Sequence, residues 1–348
     1  MRVSTTPLEL QLRHTFQIAH GASDTRQNVV LQLGDGLGEA APVAYHGESA
    51  AGVVATLERW RPELEHLDDP AAIRWLLRRC EGSAAARAAV DLALHDALGK
   101  QLGTPVHRLL GLDRLPLPPT SFTIAITAPD ELATRVEAAA AFPILKVKLG
   151  TERDLEIVQT IRAVAPTATI RVDANAAWSV EQALRLIPQL AELGVELVEQ
   201  PLAVDDVNGL RQLKAAQLPL LIVADESVKT AADVVRLADA VDGVNIKLMK
   251  TGGIQGALTA IHTARSCGLK VMLGCMVESS LGATAAAHLA GLADWIDLDG
   301  PLLIANDPFV GVRFDGAQLT LPESPGLGVE PRPGSTGSII SLPGGQLP

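Results

Sequence analysis

Three carboxylate residues stand at regular intervals in the middle of the sequence, each at the end of a short apolar run. They are Asp173, Glu199 and Asp225, and consecutive members are 26 residues apart. Because a strand-helix-strand unit takes about 30 residues, parallel strands would bring all three to one edge of a sheet. Three like charges there require a cation, and hard carboxylate oxygens suit Mg²⁺ while leaving coordination positions for substrate oxygens. The spacing therefore predicts one Mg²⁺ site in each chain.

Two pairs of lysines flank the carboxylates. Lys146 and Lys148 end the preceding apolar run, and Lys247 and Lys250 end the following one. Alternation along a strand directs Lys146 and Lys148 to the same face. An ammonium beside another ammonium and a divalent cation has its charged form disfavoured, which lowers its pKa toward that of a useful general base. The pairs therefore predict proton transfer next to the metal.

The ordered series of motifs resembles the muconate-lactonizing subgroup of the enolase superfamily, from about Leu8 to Val329. The resemblance rests on five motifs: Lys-x-Lys at 146–148, Asp-x-Asn at 173–175, Glu-Gln-Pro at 199–201, Asp-Glu-Ser at 225–227 and Asn-Ile-Lys-Leu-Met-Lys-Thr-Gly-Gly at 245–253. Sites of this superfamily combine a lysine or histidine base with Mg²⁺ that stabilises an ene-diolate. The resemblance thus implies deprotonation of a carbon next to a metal-bound carboxylate.

The arrangement of the lysines indicates which reaction follows. If Lys148 lies on one face of the acidic carbon and Lys250 on the other, one removes the proton and the other returns it with inversion. That is a racemase or epimerase reaction. Polar neighbours are predicted to support this centre as electrostatic helpers or as partners of the metal ligands: Lys146, Asn175, Gln200, Glu226 and Lys247.

A pair of aspartates near the eighth predicted strand end, Asp297 and Asp299, is similar to the Asp-x-Asp pair of the dipeptide epimerases. In that family the pair holds the α-ammonium group of the dipeptide. The resemblance also covers the segments 120–123 and 274–280. It implies substrate contacts from three residues there: Thr123, Met276 and Glu278.

A polar segment near the N-terminus, His14–Asn28, is expected to form a loop that meets the far side chain of the dipeptide. Epimerases of Ala-Glu dipeptides tend to carry an arginine in this loop to pair with the glutamate. His20 stands where that arginine would be, and Arg26 lies past the turn. Asp24 would permit a cationic side chain. The sequence therefore leaves the preferred side chain open.

The apolar runs also predict the fold. From residue 120 onward they alternate with helical windows and end near Ile126, Leu149, Asp173, Glu199, Asp225, Lys247, Gly274 and Asp299. Eight such ends suggest a (β/α)₈ barrel or a near relative, with catalytic residues at the C-terminal strand ends. The resemblance implies an α/β fold with a modified (β/α)₇β TIM-type barrel, which lacks its first helix, and an α+β N-terminal capping domain. The expected limits are 1–118 for the cap, 119–301 for the barrel, 302–330 for a segment returning to the cap and 331–348 for a mobile tail.

The cap is predicted to begin with alternating strands within 8–41 and a hairpin turn at Gly34–Gly36. Helical spacing follows at about 50–61, 70–80 and 84–102. Three polar residues on the last of these helices are interpreted as structural: Asp91, His95 and Asp96.

Composition excludes several classes of protein. The 348 residues include 3% aromatic residues and carry a net charge of −11, which argues against a surface that binds nucleic acid. No apolar run approaches the roughly eighteen residues of a membrane span, and the N-terminus lacks the apolar segment of a signal peptide. We therefore expect a cytoplasmic protein that acts on a small molecule, with a homo-oligomer left open. Its cysteines are expected to be reduced: Cys80, Cys267 and Cys275.

Other functions compete with dipeptide epimerisation. A cycloisomerase or o-succinylbenzoate synthase would use the same lysines and metal without needing Asp297 and Asp299, and an N-acylamino acid racemase would act on substrates without an ammonium. A barrel that keeps a metal only for stability or ligand binding predicts the loss of at least one base. No candidate base is missing from this sequence.

Overall fold

The N-terminal part of the chain forms an antiparallel sheet. The computed structural model describes residues 1–72, 82–113 and 115–334. Three strands pair in chain order: β1 (Val3–Ile18), β2 (Gly21–Leu33) and β3 (Gly36–Ala40). Leu33 pairs with Gly36 across a two-residue turn that starts at Gly34, whose φ is 59°. The hairpin turn predicted at this point is therefore confirmed.

The segment predicted as a polar loop, residues 14–28, is instead strand. β1 continues to Ile18 and β2 begins at Gly21, so only two residues separate the strands. The pairing slips within this hairpin, from Gln11 opposite Thr25 to Phe16 opposite Ser23. This irregularity interrupts the alternation on which recognition of a strand depends, so the loop prediction was wrong.

Two helices, Ala50–Glu65 and Ala84–Gln101, pack on the sheet, and the short helix Val106–Leu109 packs against the second of them. The helix Ala84–Gln101 lies so close to β3 that a Cβ added at Gly38 would stand 1.9 Å from the carbonyl oxygen of Ala89. Only glycine permits this approach. Two of the predicted helices are thus confirmed, the first of them continuing beyond residue 61. The third prediction, at 70–80, lies mostly outside the described residues.

Two aspartates on the helix beside β3 hold the cap to the rest of the protein. Asp91 Oδ2 accepts the N–H of Ile254, the first residue of a barrel helix, at 2.5 Å. Asp96 accepts the N–H groups of Leu37 and Leu327 at 2.9 and 2.8 Å. These carboxylates satisfy backbone donors that would otherwise be buried without a partner, so their interpretation as structural residues is confirmed.

Eight parallel strands form the barrel in sequence order. They are β4 (Phe122–Ile124), β5 (Ile144–Lys148), β6 (Thr169–Asp173), β7 (Val195–Glu199), β8 (Leu221–Ala224), β9 (Gly243–Lys247), β10 (Lys270–Gly274) and β11 (Trp295–Asp297). Every predicted strand end lies within two residues of the observed one. A single bridge between Thr120 and Ile296 joins the first and last strands, so the barrel is nearly closed.

Helices cover the outside of the barrel. They span Pro129–Ala138, Asp154–Val164, Val180–Glu192, Val207–Ala215, Ala231–Leu237, Ile254–Ser266 and Ser280–Ala287. The single turn Leu248–Thr251 follows the end of β9. β11 is followed only by the four-residue helix Gly300–Leu303. The (β/α)₇β architecture is confirmed, but the expectation that the first helix is absent was wrong. The last helix is reduced because the chain returns to the cap and Ile304 forms a bridge with Leu12 of β1.

The residues after the barrel form two short pairs of strands. β12 (Phe309–Val310) pairs with β15 (Glu330–Pro331), and β13 (Arg313–Asp315) pairs with β14 (Gln318–Thr320). Asn306 contacts β1 through a 2.7 Å bond from the N–H of Gln11 to its Oδ1. The domain limits stay predictions, and most of the tail expected at 331–348 lies beyond residue 334. Among the described residues, no helix combines the length and apolarity needed to cross a bilayer.

Candidate active site

Three buried carboxylates meet at the C-terminal edge of the barrel sheet. Asp173 ends β6, Glu199 ends β7 and Asp225 follows β8. One oxygen from each lies within 4.8 Å of the others. Parallel pairing sets this arrangement, because Asp173 is directly opposite Glu199 in the register of β6 and β7. The residues predicted from spacing alone are therefore brought together.

Lys146 lies at the centre of the carboxylates. Its Nζ is 2.7 Å from Asp297, 2.8 Å from Glu199 and 3.2 Å from Asp173. Burial alone would lower the pKa of this ammonium, but the surrounding carboxylates outweigh burial and raise it well above its usual value. Lys146 therefore carries a permanent positive charge, as expected of an electrostatic helper.

The other three lysines flank the carboxylates. Lys148 on β5 lies 2.7 Å from Asp173, whereas Lys247 and Lys250, at the end of β9 and just after it, lie 2.8 and 2.5 Å from Asp225. The strands that carry the carboxylates stand between β5 and β9 in the sheet. Lys148 and Lys250 consequently approach the centre from opposite sides. Burial and the charge of Lys247 lower the pKa of Lys250, although Asp225 opposes this shift.

The local backbone explains the position of Lys250. β9 ends at Lys247, and Lys250 lies on the single helical turn Leu248–Thr251. This turn is ended by Gly252, whose φ is 80°. The turn brings Lys250 Nζ back to the carbonyl oxygen of Asp225 at 2.5 Å. A continued strand would have carried the lysine past the edge of the sheet.

Three buried oxygens around the centre have no hydrogen-bond partner among the residues that the structure describes. They are Asn175 Oδ1, Glu226 Oε2 and Asn245 Oδ1. The amide groups of the two asparagines are held in place, because Asn175 Nδ2 donates to Glu226 and Asn245 Nδ2 donates to Glu199, at 3.0 and 2.8 Å. A buried oxygen without a donor is costly unless a cation or water satisfies it.

The electrostatics of the carboxylates also fit a cation. Burial and the negative charges of Asp173 and Asp225 raise the pKa of Glu199 to about 8. Such crowding of like charges is relieved by a hard divalent ion, and an all-oxygen donor set is the one that Mg²⁺ prefers. The chemistry of the residues present therefore fits Mg²⁺ held by Asp173, Glu199 and Asp225.

The centre opens into a pocket of about 120 Å³ between the barrel and the cap. Many of the predicted site residues line it: His20, Thr123, Lys146, Lys148, Asn175, Asp225, Glu226, Lys247, Met276, Asp297 and Asp299. Lys250 is buried behind this wall, and it also borders a separate cavity beneath the cap. Gln200 lies deeper, where its side chain bonds to Ser227 and to the N–H of Asp225.

The two aspartates of the eighth strand differ in their environments. Asp297 accepts bonds from Ser121 Oγ and Lys146 Nζ, both at 2.7 Å. Asp299 accepts the backbone N–H of Thr123 at 2.6 Å. Burial and the charge of Asp297 raise the pKa of Asp299 to about 7. A substrate ammonium next to Asp299 would lower this pKa and pair with the charged carboxylate.

Two predicted contacts lie outside the pocket. Glu278 is buried beside Glu39 of the cap and accepts the N–H of Met276 at 2.8 Å. Burial and the charge of Glu39 raise the pKa of Glu278 to about 8. Asp24 is exposed on β2, where it accepts a 2.6 Å bond from Thr15 across the hairpin. Asp24 does not line the pocket, contrary to expectation.

Sequence reasoning predicted His20 in the pocket but missed the other residues that the cap contributes. They are Phe16, Ile18, Arg26, Val43, Tyr45 and His46. The ring of His20 stacks on Tyr45 with centroids 4.4 Å apart, and the guanidinium of Arg26 lies 5.9 Å from the centre of the Phe16 ring. The alternation of Phe16 and Ile18 is a strand signal that identifies two of these residues once the hairpin is recognised.

Comparisons with known proteins agree with this geometry. The family description "Mandelate racemase / muconate lactonizing enzyme, N-terminal domain" matches residues 2–111, and "Enolase C-terminal domain-like" matches residues 130–335. The chain belongs to the mandelate racemase and muconate lactonizing enzyme family. The first match covers the observed cap, and the second covers most of the barrel and the residues that follow it.

Individual relatives within the family carry related names. The L-Ala-D/L-Glu epimerase of Bacteroides thetaiotaomicron is 40% identical over 342 residues, which cover 94% of this chain and 88% of that protein. The dipeptide epimerase of Enterococcus faecalis, solved with Mg and L-Leu-L-Tyr, has a TM-score of 0.89 and 32% identity, covering 94% of this chain and 98% of its own. The dipeptide epimerase of Methylococcus capsulatus, solved with Mg and L-Arg-D-Lys, has a TM-score of 0.87 and 34% identity, with the same coverage.

Proposed function

We propose that this family member is an Mg²⁺-dependent dipeptide epimerase that inverts the α-carbon next to the dipeptide carboxylate. The observation that carries the proposal is the placement of Lys148 and Lys250 on opposite sides of three buried carboxylates. The relatives named as dipeptide epimerases support it. A library of dipeptides in D₂O, read by mass spectrometry for deuterium uptake and by chiral chromatography for inversion, tests it. Absence of exchange with every dipeptide would refute it.

The carboxylates would hold the metal and the lysines would move the proton. When bound, Mg²⁺ would hold the substrate carboxylate and stabilise the negative charge that develops beside it. Lys148 or Lys250 takes the α-proton from one face, and the other lysine delivers a proton to the opposite face. Lys146 remains charged and contributes positive potential without acting as a base.

The aspartates of the eighth strand are proposed to bind the substrate ammonium. We expect Asp299→Asn to lower kcat/KM by an amount that corresponds to about 2–5 kcal/mol of transition-state stabilisation, because the substrate ammonium then loses a buried charge partner. The affinity for Mg²⁺, measured by calorimetry, should change little, because Asp299 bonds to Thr123 and not to the metal ligands. Asp297→Asn should have at least as large an effect, since Asp297 also bonds to Lys146.

N-acetylated dipeptides provide the matched control for this prediction because they lack the ammonium. Wild-type protein should turn them over far more slowly than free dipeptides. Asp299→Asn should reduce this difference in kcat/KM between free and N-acetylated dipeptides. If N-acetylated substrates reacted as fast as free dipeptides, an N-acylamino acid racemase or a cycloisomerase would replace the dipeptide epimerase.

The side chain of the second residue is proposed to meet Arg26 and His20. Arg26 lines the pocket, whereas Asp24 does not. We therefore expect Arg26→Gln to reduce the kcat/KM ratio of L-Ala-L-Glu to L-Ala-L-Leu about tenfold, the effect of one partly buried charge pair. Asp24→Asn, two residues away on the same strand, should leave the ratio unchanged. A ratio altered by Asp24→Asn and not by Arg26→Gln would show that Asp24, rather than Arg26, contacts the side chain of the second residue.

A further inference from the structure

A second cavity, of about 250 Å³, lies beside the active-site pocket. Its walls come from β1, from β4 and the residues that follow it, and from the helices Pro129–Ala138 and Gly300–Leu303. Phe16, Thr123 and Leu303 line both this cavity and the active-site pocket. These three residues therefore lie between the two spaces. None of the sequence motifs predicted the second cavity.

The irregularity in β1 contributes one wall of this cavity. Because Gln11 pairs with Thr25 and Phe16 pairs with Ser23, the four residues 12–15 of β1 stand opposite one residue of β2. Extra residues leave the plane of a sheet and re-aim their side chains, and such bulges are frequent beside active sites. All four residues at 12–15 line the cavity. The bulged part of the hairpin therefore forms one side of this space.

The residues shared by the two spaces are adjacent to the proposed ammonium site. The N–H of Thr123 donates to Asp299 Oδ2 at 2.6 Å, and Asp299 precedes the short helix that contains Leu303. A dipeptide whose ammonium contacts Asp299 has the side chain of its amino-terminal residue on the carbon next to that ammonium. That side chain would lie close to Thr123 and Leu303, two of the residues that line both spaces.

The lining of the cavity combines apolar walls with cationic groups. Phe122 and Leu302 are among its apolar residues, and Arg13 and Arg135 are its two permanent cations. One carboxylate, Glu131, lies 3.3 Å from Arg135, so the arginines still outnumber the acids. An occupant with an apolar stem and an anionic end matches this combination.

His14 does not alter this balance at neutral pH. It lines the cavity together with the two arginines. Burial and the charges of Arg135 and Arg13 lower its pKa, while Glu131 acts in the opposite direction. The imidazole is therefore a neutral hydrogen-bonding group near pH 7, and the arginines supply the positive charge.

We propose that this cavity binds the side chain of the amino-terminal residue of the dipeptide, and that it selects an acidic side chain such as that of glutamate. The inference rests on the proposed function and extends it to the first residue of the substrate. The two methylene groups of glutamate would extend past Thr123 and Leu303 toward the cavity. Its carboxylate would then meet Arg13 and Arg135.

The experiment compares four dipeptides that differ only in their first residue: L-Glu-L-Ala, L-Gln-L-Ala, L-Lys-L-Ala and L-Ala-L-Ala. Deuterium uptake at the second α-carbon gives kcat/KM for each. We expect L-Glu-L-Ala to exceed its isostere L-Gln-L-Ala about fivefold or more, the upper end for a partly exposed ion pair, and L-Lys-L-Ala to be the poorest substrate. Arg13→Gln and Arg135→Gln should each remove most of the preference for glutamate over glutamine.

Arg185→Gln is the matched control, because Arg185 lies on a different barrel helix and lines neither cavity. It should leave all four values as in the wild type. Equal values for L-Glu-L-Ala and L-Gln-L-Ala in the wild type would overturn the inference and leave the proposed function standing. A uniform loss across all four dipeptides in Arg13→Gln and Arg135→Gln would overturn it also, since it would indicate a structural role. Lack of exchange with every dipeptide would overturn the proposed function and this inference with it.

Discussion

Replacement of either Lys148 or Lys250 by arginine is expected to abolish epimerisation, with a loss of about 10³-fold or more in rate, as for removal of an essential general acid or base. Arginine preserves the positive charge beside Asp173 or Asp225, so the carboxylates keep a charge partner. Its guanidinium stays protonated at any accessible pH and cannot accept the α-proton. The arginine variants thereby separate proton transfer from electrostatic support.

The two variants should differ in which stereoisomer they still deprotonate. Lys148→Arg retains Lys250, so it should exchange the α-proton of only the isomer whose hydrogen faces Lys250, and Lys250→Arg should show the opposite selectivity. Incubating each pure isomer in D₂O and measuring deuterium uptake by mass spectrometry distinguishes the cases. Lys214→Arg, an exposed residue paired with Asp242, serves as the control with wild-type turnover. Equal residual exchange of both isomers in both variants would contradict the assignment of one lysine to each face.

The metal ligands could be predicted from the sequence because two regularities coincide in them. A strand-helix-strand period fixes the distance along the chain, and parallel register fixes the position across the sheet. Asp173, Glu199 and Asp225 obey both rules and meet within 4.8 Å. The side chains of Lys146 and Lys148 follow from alternation along β5 in the same way. The part of the site that regular strands carry can therefore be predicted from the sequence.

Phe16, Ile18 and Arg26 of the cap could not be predicted as pocket residues, because their placement depends on an irregular strand. Residues 12–15 of β1 have no one-to-one partners on β2, so the alternation that identifies a strand is broken there. The hairpin was consequently interpreted as a loop, Asp24 was assigned to the pocket and Arg26 was set aside. The structure reverses the positions of these two residues relative to the pocket.

Glu278 illustrates a second limit. It follows the end of β10 by four residues, where the alternation of a strand no longer determines the direction of a side chain. The segment is held instead by the cap, since Glu39 accepts the N–H and hydroxyl groups of Ser279 and Asn28 donates to the carbonyl oxygen of Val277. These partners are about 240 residues away in sequence. No local pattern encodes such a contact.

The second large effect is expected at the metal centre. Asp173→Asn, Glu199→Gln and Asp225→Asn should each weaken Mg²⁺ binding about 100-fold or more, because loss of one charge partner from a buried ion costs roughly 2–5 kcal/mol. The substitutions keep the shape of each side chain, so the change isolates the negative charge. Isothermal titration calorimetry with Mg²⁺ alone measures the affinity without requiring turnover. Asp239→Asn, which removes an exposed carboxylate paired with Arg211, is the control for nonspecific binding.

Thermal unfolding provides an independent measurement of the same effect. An ion that binds only the folded state stabilises it by RT ln(1 + [Mg²⁺]/Kd), or about 2.7 kcal/mol at a hundred times Kd. At that concentration of Mg²⁺ the wild-type protein and Asp239→Asn should show a clear rise in Tm, whereas the three ligand variants should show little. The Tm of each variant with Mg²⁺ is compared with its own Tm without Mg²⁺. A change in intrinsic stability, caused for example by the loss of a charge partner of Lys146, therefore does not affect the comparison. If Glu199→Gln retained both the wild-type affinity and the wild-type rise in Tm, the metal could not be held by the carboxylate triad, and the buried carboxylates would serve only to neutralise the lysines.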